Sequence, residues 1–322
     1  MKKLHGAIAA LPPLRSAPAA GAQVQYPGRP ITLVVPFATG GIADLVARAV
    51  TRAMSETLGQ PISIDNRPSA GSIVGSQTVA QAAPDGYTLL LMTNSNAISA
   101  SLFKKMPFDV TKDFAPVCAF GIFDLALFVA ADSKLKTVRD LVAEARARAG
   151  GLTVGTVAVG STQYLAAELF EHRAGVDFLI VPYKGSPAVL AALRAGEISA
   201  AFEIVGPMVP QLQAKAVRAL AVTGDRRFAA LPDVPTMREA GVADYEVASW
   251  NGLAAPAMTP PAVIETLNAA ANDALMLPEV ADKLREMGVR PQGGTPQQMR
   301  ALLEREIAHA RQVISATKIA YE

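Results

Sequence analysis

Few residues in this 322-residue chain have the type and spacing that bond-making chemistry needs. Ser161 follows a glycine, but the G-x-S-x-G pattern of a strained nucleophile is missing and no base is placed for it. The histidines His5, His172 and His309 lie far apart and form no H-E-x-x-H pair. Cys118 is the single cysteine, so an internal disulfide and a thiolate metal cluster are both excluded. Its neighbours Val117, Ala119 and Phe120 mark it as a buried core thiol. Asp44 and Glu203 could form an acid–base pair, yet Asp44 falls in the first turn of a helix, where the helix dipole alone explains a carboxylate. The expectation is a protein without catalysis, cofactor or metal. Ser161 is better explained as the cap of a helix over 163–172 than as a nucleophile.

What the chain does offer is a place for an anion. Residues 31–37 form a short β-branched apolar run, the pattern of a strand buried on both faces. Gly40-Gly41 breaks it, and an amphipathic helix follows with Ile42, Leu45, Val46, Ala49, Val50, Ala53, Met54 and Leu58 on one side. Arg48, Arg52 and Glu56 take the other side. Such a turn aims unpaired backbone N–H groups at whatever lies above the strand, a ready site for a carboxylate or phosphate. G-x-G-x-x-G is absent and no Lys-Ser/Thr pair follows, which argues against a dinucleotide or a P-loop. A second wall is Asn94-Ser95-Asn96, a polar cluster expected as a loop past the strand at 87–93.

Alternating elements must carry these walls. Strands are expected at 61–65, 125–131, 152–157, 178–182, 198–202 and 217–222, with helices at 76–83, 188–195 and up to 149 from Thr137. Thr137 with Asp140, and Thr236 with Glu239, have the spacing of capping boxes, the second opening a helix within 232–242 that ends just before Gly241. Thr259-Pro-Pro opens a helix to about 275, and Thr295-Pro-Gln-Gln opens the last, to about 314. Two α/β domains, with the C-terminal helices returning to the first, is the economical arrangement.

Composition agrees with a globular chain: 51% apolar, 18% charged and a net charge of +2, too small a field to attract nucleic acid. Lys2-Lys3, an apolar segment at 4–11 and Ala20-Gly21-Ala22 outline an export signal over residues 1–22, interrupted by Pro12, Pro13 and Arg15. No later segment has the roughly 18 consecutive apolar residues of a membrane span.

Several stretches together resemble one known family. They are RPITLVVPFATGGIADLVAR, NRPSAGSIVG, VAQAAPDGYTLLLMT, FKKMPFDVTKDFAPV, VGSTQYLAAELF, VPYKGSPAVLAAL, RRFAALPDVPTMREAG and SWNGLAAPAMTPPAVIETLN, in that order from Tyr26 to near the C-terminus. They are similar to the solute-binding receptors of tripartite tricarboxylate transporters, the Bug-type periplasmic binding proteins. The resemblance implies a type II periplasmic-binding-protein fold, two α/β lobes joined by a two-crossover hinge near 124–130 and 249–254. Lobe 1 would hold 23–124 and 252–322, and lobe 2 would hold 125–251. It implies a monomer in the periplasm that captures a small carboxylate and delivers it to a membrane permease. The family grips its ligand with two facing loops, backbone amides and waters, using few charged side chains. Carried over, the first loop is Phe37, Ala38, Thr39, Gly40, Gly41 and Asp44. The facing loop is Gly160, Ser161, Thr162 and Gln163, with Tyr183, Lys184, Gly185, Ser186 and Glu203 as further walls. Asn94, Ser95 and Asn96 match the loop after the third strand. Ala43, Tyr164, Ser99-Ala100, Glu203 and Met258 depart from the family's usual residues, which bears on the ligand's identity. The alternatives are a carboxylate sensor docking on a membrane signalling protein and a hydrolase using Ser161.

Overall fold

The computed structural model of the protein describes residues 26–317 and 319, so the expected export signal lies outside the described residues. Strand β1 (Ile31–Val35) pairs in parallel with β2 (Ile62–Asn66) and β3 (Thr88–Thr93). The long β4 (Phe114–Ala130) runs on from this sheet into a second one. There β5 (Thr153–Val157) lies parallel between β6 (Leu179–Tyr183) and β7 (Ala200–Ile204). Up to Asp124, β4 pairs with β9 (Ala248–Pro256), which also pairs with β3; from Leu125 onward it pairs with β7 and β8 (Val217–Val222). The short β10 (Val289–Pro291) pairs with β4 at Gly121–Phe123. Both sheets thus hang on one strand.

Every strand but β8 leads into a helix. The α-helices are α1 (Ile42–Leu58), α2 (Ile73–Ala80), α3 (Asn94–Leu102), α4 (Val138–Ala147) and α5 (Thr162–Ala174). They continue with α6 (Ser186–Ala195), α7 (Val205–Gln213), α8 (Pro261–Met276), α9 (Pro278–Glu286) and α10 (Pro296–Ala316). Capping is as the spacing predicts: Thr137 Oγ1 accepts from Asp140 N, Ser161 Oγ from Tyr164 N, and Thr295 Oγ1 from Gln298 N. Among the described residues no helix is long and apolar enough to cross a membrane.

The differences from expectation have local causes. The first half of β4 carries Pro116 and Gly121, which weaken a strand pattern, and its register slips beside both, between Pro116 and Cys118 and between Ala119 and Gly121. Asn94-Ser95-Asn96 is the first turn of α3 rather than a loop, because Thr93 N donates to Asn96 Oδ1 at 2.9 Å and starts the helix there. Helix α2 begins at Ile73, earlier than expected, after a 3-10 turn at Ala70–Ser72. The helix expected within 232–242 is absent. Thr236 and Glu239 do exchange both capping bonds, but Gly241 at φ +95 closes the turn immediately.

An aromatic cluster fills the second half: Phe170 lies 5.7 Å from Phe202 and 6.1 Å from Tyr245, whose hydroxyl donates to Ala166 O. Where β4 passes between the sheets, Thr223 ties three segments. Its Oγ1 accepts from Leu125 N at 3.1 Å and donates to Val247 O at 2.6 Å. Thr223→Val keeps the shape but unpairs buried backbone groups. It should lower stability by about 1–3 kcal/mol, read as a lower urea midpoint with an unchanged slope.

Candidate functional site

Strands β1, β3, β5, β6 and β7 end at one common edge, and the helices that follow, α1, α3, α5, α6 and α7, all start there. The starts of these five helices border a single cleft. Each start leaves unpaired N–H groups and roughly half a positive charge. Among the described residues no Asp, Glu, Lys or Arg lines the cleft. The field inside is therefore set by backbone, with side chains that are apolar or neutral.

Of the residues singled out from the sequence, Phe37, Ala38, Gly41, Ser95, Thr162, Gln163 and Gly185 line this cleft. Others stand behind it. The Thr39 hydroxyl turns away to Asn66 Oδ1 at 3.1 Å, and Gly40 N donates to Asp44 Oδ2 at 3.0 Å. Asp44 is buried and also accepts from Arg48 Nε and Asn66 Nδ2. Its role is to brace the loop rather than only to face the helix dipole. Asn66 completes the brace by donating to Phe37 O at 3.0 Å. Asn94 accepts from Trp250 Nε1 and donates to Thr162 Oγ1, which in turn meets Ser249 Oγ at 2.9 Å. Ser161 Oγ donates to Val157 O and accepts from Tyr164 N, so its hydroxyl is committed to the cap. Gly160, with φ +80, packs against Gly71, whose N–H donates across the cleft wall to Val159 O at 2.8 Å. Tyr183 and Lys184 lie outside the lining, and Lys184 is exposed.

Glu203 is fully buried behind Gln163. Its Oε1 accepts from Gln163 Nε2 at 2.8 Å and from Ile204 N at 2.9 Å. Burial pushes the carboxyl up, outweighing the bonds from Gln163, Ile204 and Ser186. Its neutral form is favoured, which spares an anion in the cleft a facing negative charge.

Sequence reasoning missed Ile42, Thr93, Ser249 and Asn251 as cleft residues, and likewise the apolar Phe123, Val157, Pro187 and Ile204. Ser186 lines the cleft as expected of that turn, and so does Ala43, one of the departures from the family pattern. Apolar lining residues send no polar signal. Ser249 and Asn251 belong to the SWNG stretch, which the sequence marks only as a crossover. Asn251 is 2% exposed, and its Nδ2 has no hydrogen-bond partner among the described residues. An unpaired buried donor costs about 1–3 kcal/mol, so it needs an explanation.

Metal or thiol chemistry finds no support. Among the described residues no group of three or more His, Cys, Asp or Glu could hold a metal ion. Burial pushes the Cys118 thiol up to about 12.

The brace on the first loop responds to acid. Burial raises the Asp44 carboxyl, but the bonds from Arg48, Gly40 and Asn66 together with the Arg48 charge leave it below its ordinary value of 3.8. A lowered folded value means that the stabilisation is complete above about pH 4 and is lost as pH falls through the folded value. Asp44→Ala should destabilise the protein by about 1–3 kcal/mol at neutral pH. The gap from wild type should close on acidification below about pH 4, measured by urea unfolding at stepped pH.

Comparisons with known proteins agree with this architecture. The Bordetella pertussis protein named Protein BugT is 35% identical over 294 residues, which is 91% of this chain and 90% of its own. An R. palustris protein solved with adipate is 37% identical, with a TM-score of 0.87 over 92% of this chain and 99% of its own. MatC from Rhodopseudomonas palustris, solved with bound malate, is 33% identical, with a TM-score of 0.85 over 89% of this chain and 99% of its own. Periplasmic binding proteins of this kind have the two-lobed α/β fold. The model of the tripartite tricarboxylate transporter family receptor matches residues 46–319. The chain belongs to the tripartite tricarboxylate transporter receptor family.

Proposed function

We propose that this protein is an extracytoplasmic solute-binding receptor that captures a small carboxylate and delivers it to a tripartite-type membrane permease. The observation that carries the reading is the convergence of five helix starts on a cleft with no charged side chain. An anion held there is met by many weak donors and oriented dipoles instead of one salt bridge. The relatives solved with adipate and with malate support a carboxylate as the ligand class. The periplasm is the location that fits, with residues 1–22 directing export.

Residues 23–124 and 252–322 would form one lobe and 125–251 the other, closing over the ligand about the crossovers in β4 and β9. Two side-by-side connections confine the motion to opening and shutting. Small-angle scattering of protein stripped of ligand should show the radius shrinking when a binding carboxylate is added.

Lys184 supplies the rival account, since a cation near the mouth could pair with the carboxylate. Titration calorimetry with succinate, malate and adipate separates the two. If backbone donors dominate, Lys184→Ala changes affinity by no more than about fivefold, the scale of an exposed ion pair. Gly41 has an ordinary φ of −80°, and a Cβ there would meet nothing nearer than Ala38 O, at an ordinary contact distance of 3.7 Å, so Gly41→Val should fold normally. The branched side chain would fill the cleft beside the α1 amides and cut affinity at least tenfold. Loss of binding in Lys184→Ala with Gly41→Val unaffected would overturn the amide account.

A further inference from the structure

We propose that Asn251 contacts the ligand directly and makes the cleft selective for a ligand oxygen at that wall over an ammonium. The inference rests on the carboxylate reading and specifies it.

The Asn251 backbone is fixed by the sheet. The residue lies mid-strand in β9, in register with Thr93 on one side and Gly121 on the other. It lines the cleft, is almost wholly buried, and its Nδ2 meets no acceptor among the described residues. An amide nitrogen only donates, so the group that satisfies it must be an acceptor. The hydroxyls beside it do not decide polarity. Ser249 can donate or accept, and it already shares a bond with Thr162 Oγ1.

An ammonium would need an anion, and the cleft supplies none. Glu203 is the acid placed behind the lining: Gln163 Nε2 and Ile204 N take its Oε1, and its Oε2, without a hydrogen-bond partner among the described residues, lies outside the lining. Asp44 is turned into the first loop by Gly40, Arg48 and Asn66. Ligands that differ only in replacing an oxygen acid with an amine should therefore be sorted at Asn251, because an unmatched buried donor facing a cation is doubly unfavourable.

The test pairs α,ω-dicarboxylates of four to six carbons with the ω-amino acids of the same length. Calorimetric titration is run on ligand-stripped wild type, Asn251→Ala and Asn251→Asp, each checked for folding by circular dichroism and melting. Wild type should bind at least one diacid tenfold or more tighter than its amino counterpart. Asn251→Ala should weaken the diacid at least tenfold and leave the amino acid bound at least as tightly as in wild type. Asn251→Asp, the same shape with reversed polarity, should invert the preference. If the aspartate variant does not fold, the alanine variant decides alone. Wild-type diacid affinity retained in Asn251→Ala, or amino acids bound as tightly as diacids by wild type, overturns the proposal while the carboxylate reading stands. A wild type that binds no carboxylate at all removes both.

Discussion

The constraint on which the site depends is directional. A strand that turns straight into a helix leaves its N–H groups facing outward at the carboxyl end of the sheet. Five such turns share one edge in this protein. Partial charges of the same sign gathered in a low-dielectric cleft have to be answered by something negative. A carboxylate side chain could have done so from within. Asp44 shows what that looks like: it takes the Gly40 amide and keeps it from solvent. Glu203 does the same for the Ile204 amide at α7, and Ser161 Oγ takes one amide of α5; the amides of these starts that have no such partner can be answered from outside.

The two buried acids behind the cleft illustrate how environment decides charge. Asp44 gathers Arg48, a backbone amide and the Asn66 amide, and stays ionised. Glu203 gathers neutral donors and burial, with no cation at hand, and favours its proton. Each arrangement avoids the one situation that would repel an anion, an ionised carboxylate opening onto the cleft. Gln163 Nε2 is thereby oriented by a carboxyl whose burial works against its charge.

How much of this was legible in the sequence follows the range of the interactions. Short-range signals were readable: Gly40-Gly41 before α1, Ser161 before α5, and the Thr137 and Thr295 caps all concern residues within four positions of each other. The Thr236–Glu239 pair shows the limit even there, since the same two hydrogen bonds form around a single turn when glycine follows at once. The floor of the cleft was not readable. Asn251 and Ser249 acquire their place from strand register with β3 and β4, which no local pattern encodes, and Phe123 looks like any other core residue. The Gly40 amide looked free because Asp44 was assigned to the helix dipole, and only side-chain direction shows that the carboxylate curls back onto it.

The bond from Gly71 N to Val159 O crosses from one wall to the other without touching the lining. It is reinforced by a backbone approach so close that a Cβ on Gly160 would come within 2.9 Å of Gly71 Cα. If the walls part and meet as proposed, a contact of this kind would help set how often the empty protein is shut, and every ligand's affinity would scale with that fraction alike. Ratios between ligands would be set elsewhere, by the residues that touch them. Strength and discrimination would then be governed by separate parts of the chain. Drift at the glycine pair could retune a descendant to scarcer or more abundant nutrient without changing what it recognises.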